Sequence, residues 1–328
     1  MKYRTLGKTG IQVSEIGLGA WELGGSYFLR DRSSANNDPS GYDDVVQDEA
    51  IATIHWGLEH GLTFIDTAPI YGDGESERRV ARALQGRSEK VTVETKLCVF
   101  AEDGRYRRVF TRDAVNSEFE KSLKRLAVDV IEINLLHSPT REEFGDGESL
   151  EALKALKKAG RVRWIGLSAS YDTDHTLEIL QTGDLDVLQV PLSVLTPAFL
   201  KVLPEAKRQN VGVVIREPLA NGYLTGAFDE NTQFNPEDQR SVWPRERHLT
   251  SVRKSRELDF LLKPNRSLAQ SSLAWLLAQE GVSTVIAGSS NQQQLEWNMA
   301  ASDVEPLSPA ELGRIRELQE SDFAIPVR

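Results

Sequence analysis

A carboxylate, a phenol, an ammonium and an imidazole stand at Asp66, Tyr71, Lys96 and His137, and three of the four close a mainly apolar run. Phe64-Ile65 leads into Asp66, residues 91–95 lead into Lys96, and residues 130–136 lead into His137. Short runs of this kind, bounded by turn formers, read as strands. Ala68-Pro69 then turns the chain, which leaves Tyr71 on the same rim as Asp66. Ionisable groups gathered at consecutive strand ends suit acid–base work on a carbonyl. Hydride reduction of a carbonyl needs a proton on oxygen as charge develops there. A free phenol titrates near pH ~10, and a neighbouring ammonium favours its ionised form. Lys96 is therefore expected to lower the pKa of Tyr71, and Asp66 to fix Lys96 by an ion pair. His137 is expected to orient the carbonyl oxygen or to share the proton, and spacing does not choose the donor. Each residue also has a plainer reading: Tyr71 as packing, Lys96 as a solvated strand end, His137 as a turn residue before Ser138-Pro139, Asp66 as a cap. Their coincidence on neighbouring strand ends favours a site.

The elements that must hold these groups follow a strict rhythm. Strands are expected at 16–19, 64–66, 91–96, 130–137, 162–168, 187–191, 211–215 and 284–287. Helical periodicity covers 47–60, 76–84, 113–126, 149–158, 173–180, 197–208, 251–262, 267–279, 292–301 and 309–320. Such alternation requires parallel pairing with right-handed crossovers. Eight strands without a linker fit a closed (β/α)8 TIM barrel, one domain over 1–328, whose chemistry belongs at the C-terminal strand ends. Gly7-Lys8-Thr9-Gly10 between 2–6 and 11–13 marks an N-terminal β-hairpin, and the last helices lie beyond the eight repeats. Residues 24–44 and 217–249 show little period and read as long loops, which in compact enzymes are commonly functional.

Composition narrows the function. A chain of 328 residues with 40% hydrophobic content can bury a large core, and its net charge of −10 argues against general nucleic-acid binding. The single cysteine, Cys98, rules out an intrachain disulfide framework. The start M-K-Y-R-T-L-G lacks a signal-peptide core, and no run of 18 apolar residues suggests a membrane span, so a cytoplasmic protein is expected. His55, His60, His175 and His248 show no metal-ligand spacing, and no metal is expected.

Asp66-Thr67-Ala68, Tyr71-Gly72, Thr95-Lys96 and Leu136-His137-Ser138-Pro139 together resemble the tetrad motifs of the aldo-keto reductases. The opening R-T-L-G-K-T-G…V-S-E-I-G-L-G resembles that family's N-terminal hairpin, and the similarity extends over roughly residues 2 to 301. The resemblance implies an NAD(P)H-dependent oxidoreductase that reduces an aldehyde, ketone or keto-sugar, or runs in reverse. It implies tyrosine as the general acid, a lysine and an aspartate that tune it, and a histidine that orients substrate. It also implies a monomer or small homo-oligomer acting on a small carbonyl or sugar-like molecule. The cofactor implied is NADP(H), with NAD(H) left open, bound without a Rossmann domain.

Cofactor positions carry over residue by residue. Ser168 matches the serine of a Ser-Asn pair on the nicotinamide amide, but Ala169 replaces the asparagine. Gln189 matches the glutamine on that amide. Arg216 stands where many relatives stack a tyrosine on the ring; a guanidinium can stack too, or pair with Glu217 instead. The run from Arg216 and Glu217 through Leu219 to Gly222 resembles the loop over the pyrophosphate. Ala227 falls where a lysine is common, and Arg240 or Arg245 could compensate. From Gly288 onward, Ser290, Gln294 and Asn298 resemble contacts to the adenosine 2′-phosphate and adenine, at a helix start suited to anions; Ser289-Ser290-Asn291 is equally a good N-cap. Many relatives carry arginine at the place of Ser290, and Trp297 replaces a common glutamate. Trp21, Tyr27 and Phe28 are expected in the pocket wall, with rim packing the plainer reading of Trp21. Arg30, Asp31 and Arg32 hint at a polar substrate or at a solvated loop. Two further classes stay open: a cofactor-binding redox-sensing regulatory subunit, resembling potassium-channel beta subunits through Ser290-Asn291 and Gln294-Leu295, and a redox-neutral sugar epimerase or lyase.

Overall fold

The computed structural model describes residues 1–25, 27–30, 37–41 and 45–324, with the backbone alone for 27–30, 37–40 and 324. Eight parallel strands close into a barrel in chain order. They are β1 (Ile16–Gly19), β2 (Phe64–Asp66), β3 (Thr92–Leu97), β4 (Ile131–His137), β5 (Val162–Ser168), β6 (Val187–Pro191), β7 (Gly212–Arg216) and β8 (Val282–Gly288). β8 returns to β1, pairing Gly288 with Gly19. The expected (β/α)8 architecture is therefore the observed one, with strand ends shifted by at most two residues.

Alternation along each strand builds two interior layers. Phe64, Ile133, Leu135, Val187, Val214 and Ile286 form an apolar cluster together with Leu6 and Val13 of the N-terminal hairpin. Two residues further along the same faces come Asp66, His137, Gln189, Arg216 and Gly288. The strands thus carry an apolar floor under a polar rim. A second, larger core lies between the barrel and its helices. The hairpin strands Tyr3–Thr5 and Gln12–Ser14 seal the N-terminal end of the barrel. There Gly7, at φ +48, lies so close to Gly212 that a Cβ would fall 2.3 Å from its nitrogen.

Three departures from expectation stand out. The segment 24–44 holds strands Tyr27–Arg30 and Asn37–Ser40, and Val99–Glu102 pairs with Arg105–Arg108 after β3. These four strands form a separate sheet on the rim. Asn37–Ser40 has no apolar alternation and contains Pro39, so it gives no strand signal. The helix expected over 197–208 is a 3-10 turn, Ala198–Lys201, followed by a helix, Leu203–Arg208, with Pro204 in its first turn. The helix expected at 251–262 spans Arg245–Arg256 and is followed by a 3-10 turn, Asp259–Leu261. Its charged first half, after Pro244, shows no apolar period. Among the described residues no helix is long and apolar enough to cross a membrane, and no group of three or more candidate ligands could hold a metal ion.

Candidate active site

Lys96 is the centre of the rim. It is 0% exposed, and Asp66 is 2% exposed. Lys96 Nζ donates to Asp66 Oδ1 at 2.5 Å, to the Thr67 carbonyl at 3.0 Å and to Tyr71 Oη at 3.1 Å. All three ammonium protons are thereby directed. Strand pairing sets this geometry: β2 delivers Asp66, β3 delivers Lys96, and the Thr67 N–H donates to the Glu94 carbonyl at 2.8 Å. Tyr71 reaches the lysine from the turn after β2. That turn packs on the loop after β1 through Gly24 and Gly72, and Gly72 has φ +61. The Trp21 ring is tilted 6.4 Å from Tyr71, and the His137 ring meets Tyr71 edge-on at 6.0 Å. His137 is fixed at the end of β4 by a sharp turn: Ser138, at φ 56, donates its N–H to the Ser168 carbonyl at 2.8 Å.

Burial decides the charge states. Desolvation raises the Tyr71 phenol to about 12, although Lys96 pulls it down; the Asp66 charge adds to the rise. The expectation of a phenol made more acidic than in water is therefore corrected, because desolvation outweighs the ammonium. Lys96 itself is raised despite its burial, since Asp66 favours the ammonium. His137 is held well below the usual imidazole range, first by burial and then by the Lys96, Arg216 and Arg108 charges. It is neutral near pH 7, and its Nδ1 is buried without a hydrogen-bond partner.

Two groups beside the tetrad were not singled out from the sequence. Glu94, two residues before Lys96 on the inner face of β3, is fully buried; an acid at an inward position of V-T-V-E-T-K was the available signal. Arg108 donates to the Ser138 carbonyl at 2.7 Å and to both oxygens of Glu143. It comes from the hairpin that the strand pattern did not reveal.

The expected cofactor residues fall into three groups. Gln189 joins the tetrad: its Nε2 donates to Asp66 Oδ1 at 2.8 Å and Glu94 Oε1 at 2.6 Å, and its Oε1 accepts from Ser168 Oγ at 3.0 Å. Arg216 ends β7, ion-pairs with Glu217 and donates to the Ala169 carbonyl at 3.1 Å. Glu217, at φ 56, also accepts from Tyr171 Oη at 2.8 Å. Leu219 lies in the following turn, where its carbonyl accepts from the Gly222 N–H at 3.0 Å. Arg240 donates to Asp238 and to the Asn221 carbonyl, and it stacks on Phe228 and Phe234. Arg245 donates to the Thr232 and Glu230 carbonyls. Both arginines thus brace their own loop. Past β8, the Ser290 N–H donates to Gln294 Oε1 at 2.9 Å, and Asn298 Nδ2 donates to the Gly288 carbonyl at 3.2 Å. Asn291 caps the helix Gln292–Met299. The side chains of Tyr27 and Phe28, like Asp31 and Arg32, lie outside the described residues.

An amide carbonyl and a hydroxyl presented together at the rim by Gln189 and Ser168 fit a polar ring substituent, and the partnerless His137 Nδ1 leaves the imidazole a free polar atom beside Tyr71. A closed parallel barrel with an Asp–Lys–Tyr–His cluster at its strand ends defines a class of oxidoreductase. Residues 15–320 match the model of the Aldo/keto reductase family, and the chain belongs to that family, whose enzymes use nicotinamide cofactors. It is 30% identical over 342 residues to the NADH-specific methylglyoxal reductase of Escherichia coli (strain K12), covering 98% of this chain and 99% of that protein. The glycerol dehydrogenase AKR11B4 from Gluconobacter oxydans superposes with a TM-score of 0.79 at 25% identity, covering 99% and 97% of the two chains. The holo form of aldo-keto reductase AKR11C1 from Bacillus halodurans gives 0.78 at 26% identity, covering 97% and 96%.

Proposed function

We propose that this protein reduces a small aldehyde or ketone, keto-sugars included, to the alcohol with a nicotinamide dinucleotide, and oxidises the alcohol in reverse. The observation that carries this reading is the hydrogen-bonded bridge from Asp66 through the buried Lys96 Nζ to Tyr71 Oη, at 2.5 and 3.1 Å. Tyr71 holds its proton at neutral pH because its pKa is pushed up to about 12. It gives that proton to the carbonyl oxygen, and the Lys96 ammonium stabilises the phenolate left behind. Asp66 keeps Lys96 charged and aimed. His137, neutral, orients the oxygen and does not supply the proton. The dinucleotide, when bound, supplies the hydride. Ser168 and Gln189 would hold its carboxamide, Arg216 would flank the ring, and Gly288, Ser290, Gln294 and Asn298 would shape the adenosine end. NADH is the favoured form. Ser290 brings no charge to meet a 2′-phosphate, and the Escherichia coli relative is named NADH-specific.

The test is Tyr71→Phe, assayed with NADH and NADPH on aldehydes, ketones and keto-sugars. Turnover should fall by about 10²–10⁴-fold, while dinucleotide binding, followed by fluorescence, persists. Unchanged turnover would remove Tyr71 as the acid and the reading with it.

A further inference from the structure

Glu94 faces the barrel interior beside the tetrad and takes no part in the chemistry above. It pairs in register with Asp66 across β2 and β3 and is 0% exposed. Gln189 Nε2, on β6, donates to Glu94 Oε1 at 2.6 Å and to Asp66 Oδ1 at 2.8 Å. A primary amide has two N–H donors, and here each meets one carboxyl oxygen. The amide carbonyl is thereby turned to the Ser168 side, where Oε1 accepts from Oγ at 3.0 Å. With the amide turned over, its oxygen would face the Asp66 carboxylate oxygen, and the Glu94 Oε1 acceptor would lose its N–H, in a dry site where burial makes both costly.

We propose that Glu94 is a positioning residue: it holds the Gln189 amide nitrogen inward, so that Oε1 is presented as an acceptor for the N–H of a ring-borne carboxamide. The inference rests on the reading of this rim as a nicotinamide site.

Charge balance says in which form Glu94 acts. Asp66 and Glu94 face the same ammonium, Lys96, which is bonded to Asp66. A second buried anion there would lack a partner. Burial first, and the Asp66 charge second, raise Glu94 well above the usual carboxyl range, so it is the protonated acid of the two. A neutral carboxyl still accepts through Oε1. A glutamine at this place offers the same acceptor, and an apolar side chain of similar length does not.

The experiment compares NADH with its acetylpyridine analogue, in which a methyl replaces the carboxamide NH₂. Binding of both is titrated by fluorescence to the full chain, Glu94→Gln, Glu94→Met, Gln189→Ala and the double variant E94M/Q189A; Glu94→Leu serves if methionine does not fold. Wild type and Glu94→Gln should prefer NADH to the same degree. Glu94→Met and Gln189→Ala should each lose roughly five- to tenfold of that preference. The double variant should lose no more than Gln189→Ala. Wild-type preference in the apolar Glu94 variant, with Gln189→Ala impaired, overturns the role of Glu94 alone. Loss of preference in Glu94→Gln overturns it as well, because an ionised carboxylate would then be required. Wild-type preference in Gln189→Ala overturns the nicotinamide reading of Gln189 and the inference built on it.

Discussion

Tyr71 and His137 have their pKa values displaced in opposite directions by the same burial, and this gives the site a readable pH behaviour. The phenol, raised to about 12, stays protonated below that value, and the imidazole, pushed well below its usual range, stays neutral. With Tyr71 as the proposed acid, reduction finds its proton in place over roughly pH 6–9 and should be flat there. Alcohol oxidation needs the phenolate, so its rate should climb by about tenfold per pH unit on the alkaline side. Profiles of kcat/KM in both directions decide the matter. A reduction limb near pH ~6.5 that vanishes in His137→Asn would show that His137 titrates, contrary to its environment. The gathering of Asp66, Lys96 and His137 was legible because type and strand end are both sequence properties, and Tyr71 followed from the Ala68-Pro69 turn. The Tyr71 pKa was not, because its desolvation depends on the Trp21 and His137 rings packing against it in space. Gln189 was legible by resemblance, but its bonds to Asp66 and Glu94 arise from β2, β3 and β6 meeting in space.

Among the elements, the turn after β2 leaves no room for a side chain at Gly72. A Cβ on Gly72 would lie 2.2 Å from the Gly24 carbonyl oxygen, and Gly72 occupies φ +61. Gly72→Ala must therefore push apart the loops after β1 and β2 and carry Tyr71 away from Lys96. The strained backbone should cost about 1–3 kcal/mol by chemical denaturation, with kcat falling more than dinucleotide affinity. Normal kcat with intact stability would mean that the two loops part without consequence. Barrel strands were readable from apolar runs closed by Gly, Pro or a charged residue. The rim sheet was not: Asn37–Ser40 and Arg105–Arg108 are polar and show no apolar alternation, and the two local hairpins they complete are joined by one long-range pairing, Arg30 with Arg105. Helix Arg245–Arg256 began early for a similar reason, since its charged first half shows no buried stripe.

Over the whole molecule, the two ends of the barrel divide the work. Leu6 and Val13 of the hairpin complete the apolar floor, while Asp66, Lys96 and Tyr71 gather at the other end. Leu6→Ala should cost about 2–5 kcal/mol in a denaturant titration, because Leu6 is fully buried against Gly212. Turnover at ordinary temperature should be nearly unchanged; lost activity without lost stability would contradict this division. The floor has a further bearing on turnover. With the lower end stopped by hydrocarbon, the polar rim, where Tyr71 is partly exposed, is the end that meets water. On the proposed reading, the proton that Tyr71 gives up is replaced from bulk water at the same end by which the alcohol departs, so refilling the acid and releasing the product share one route.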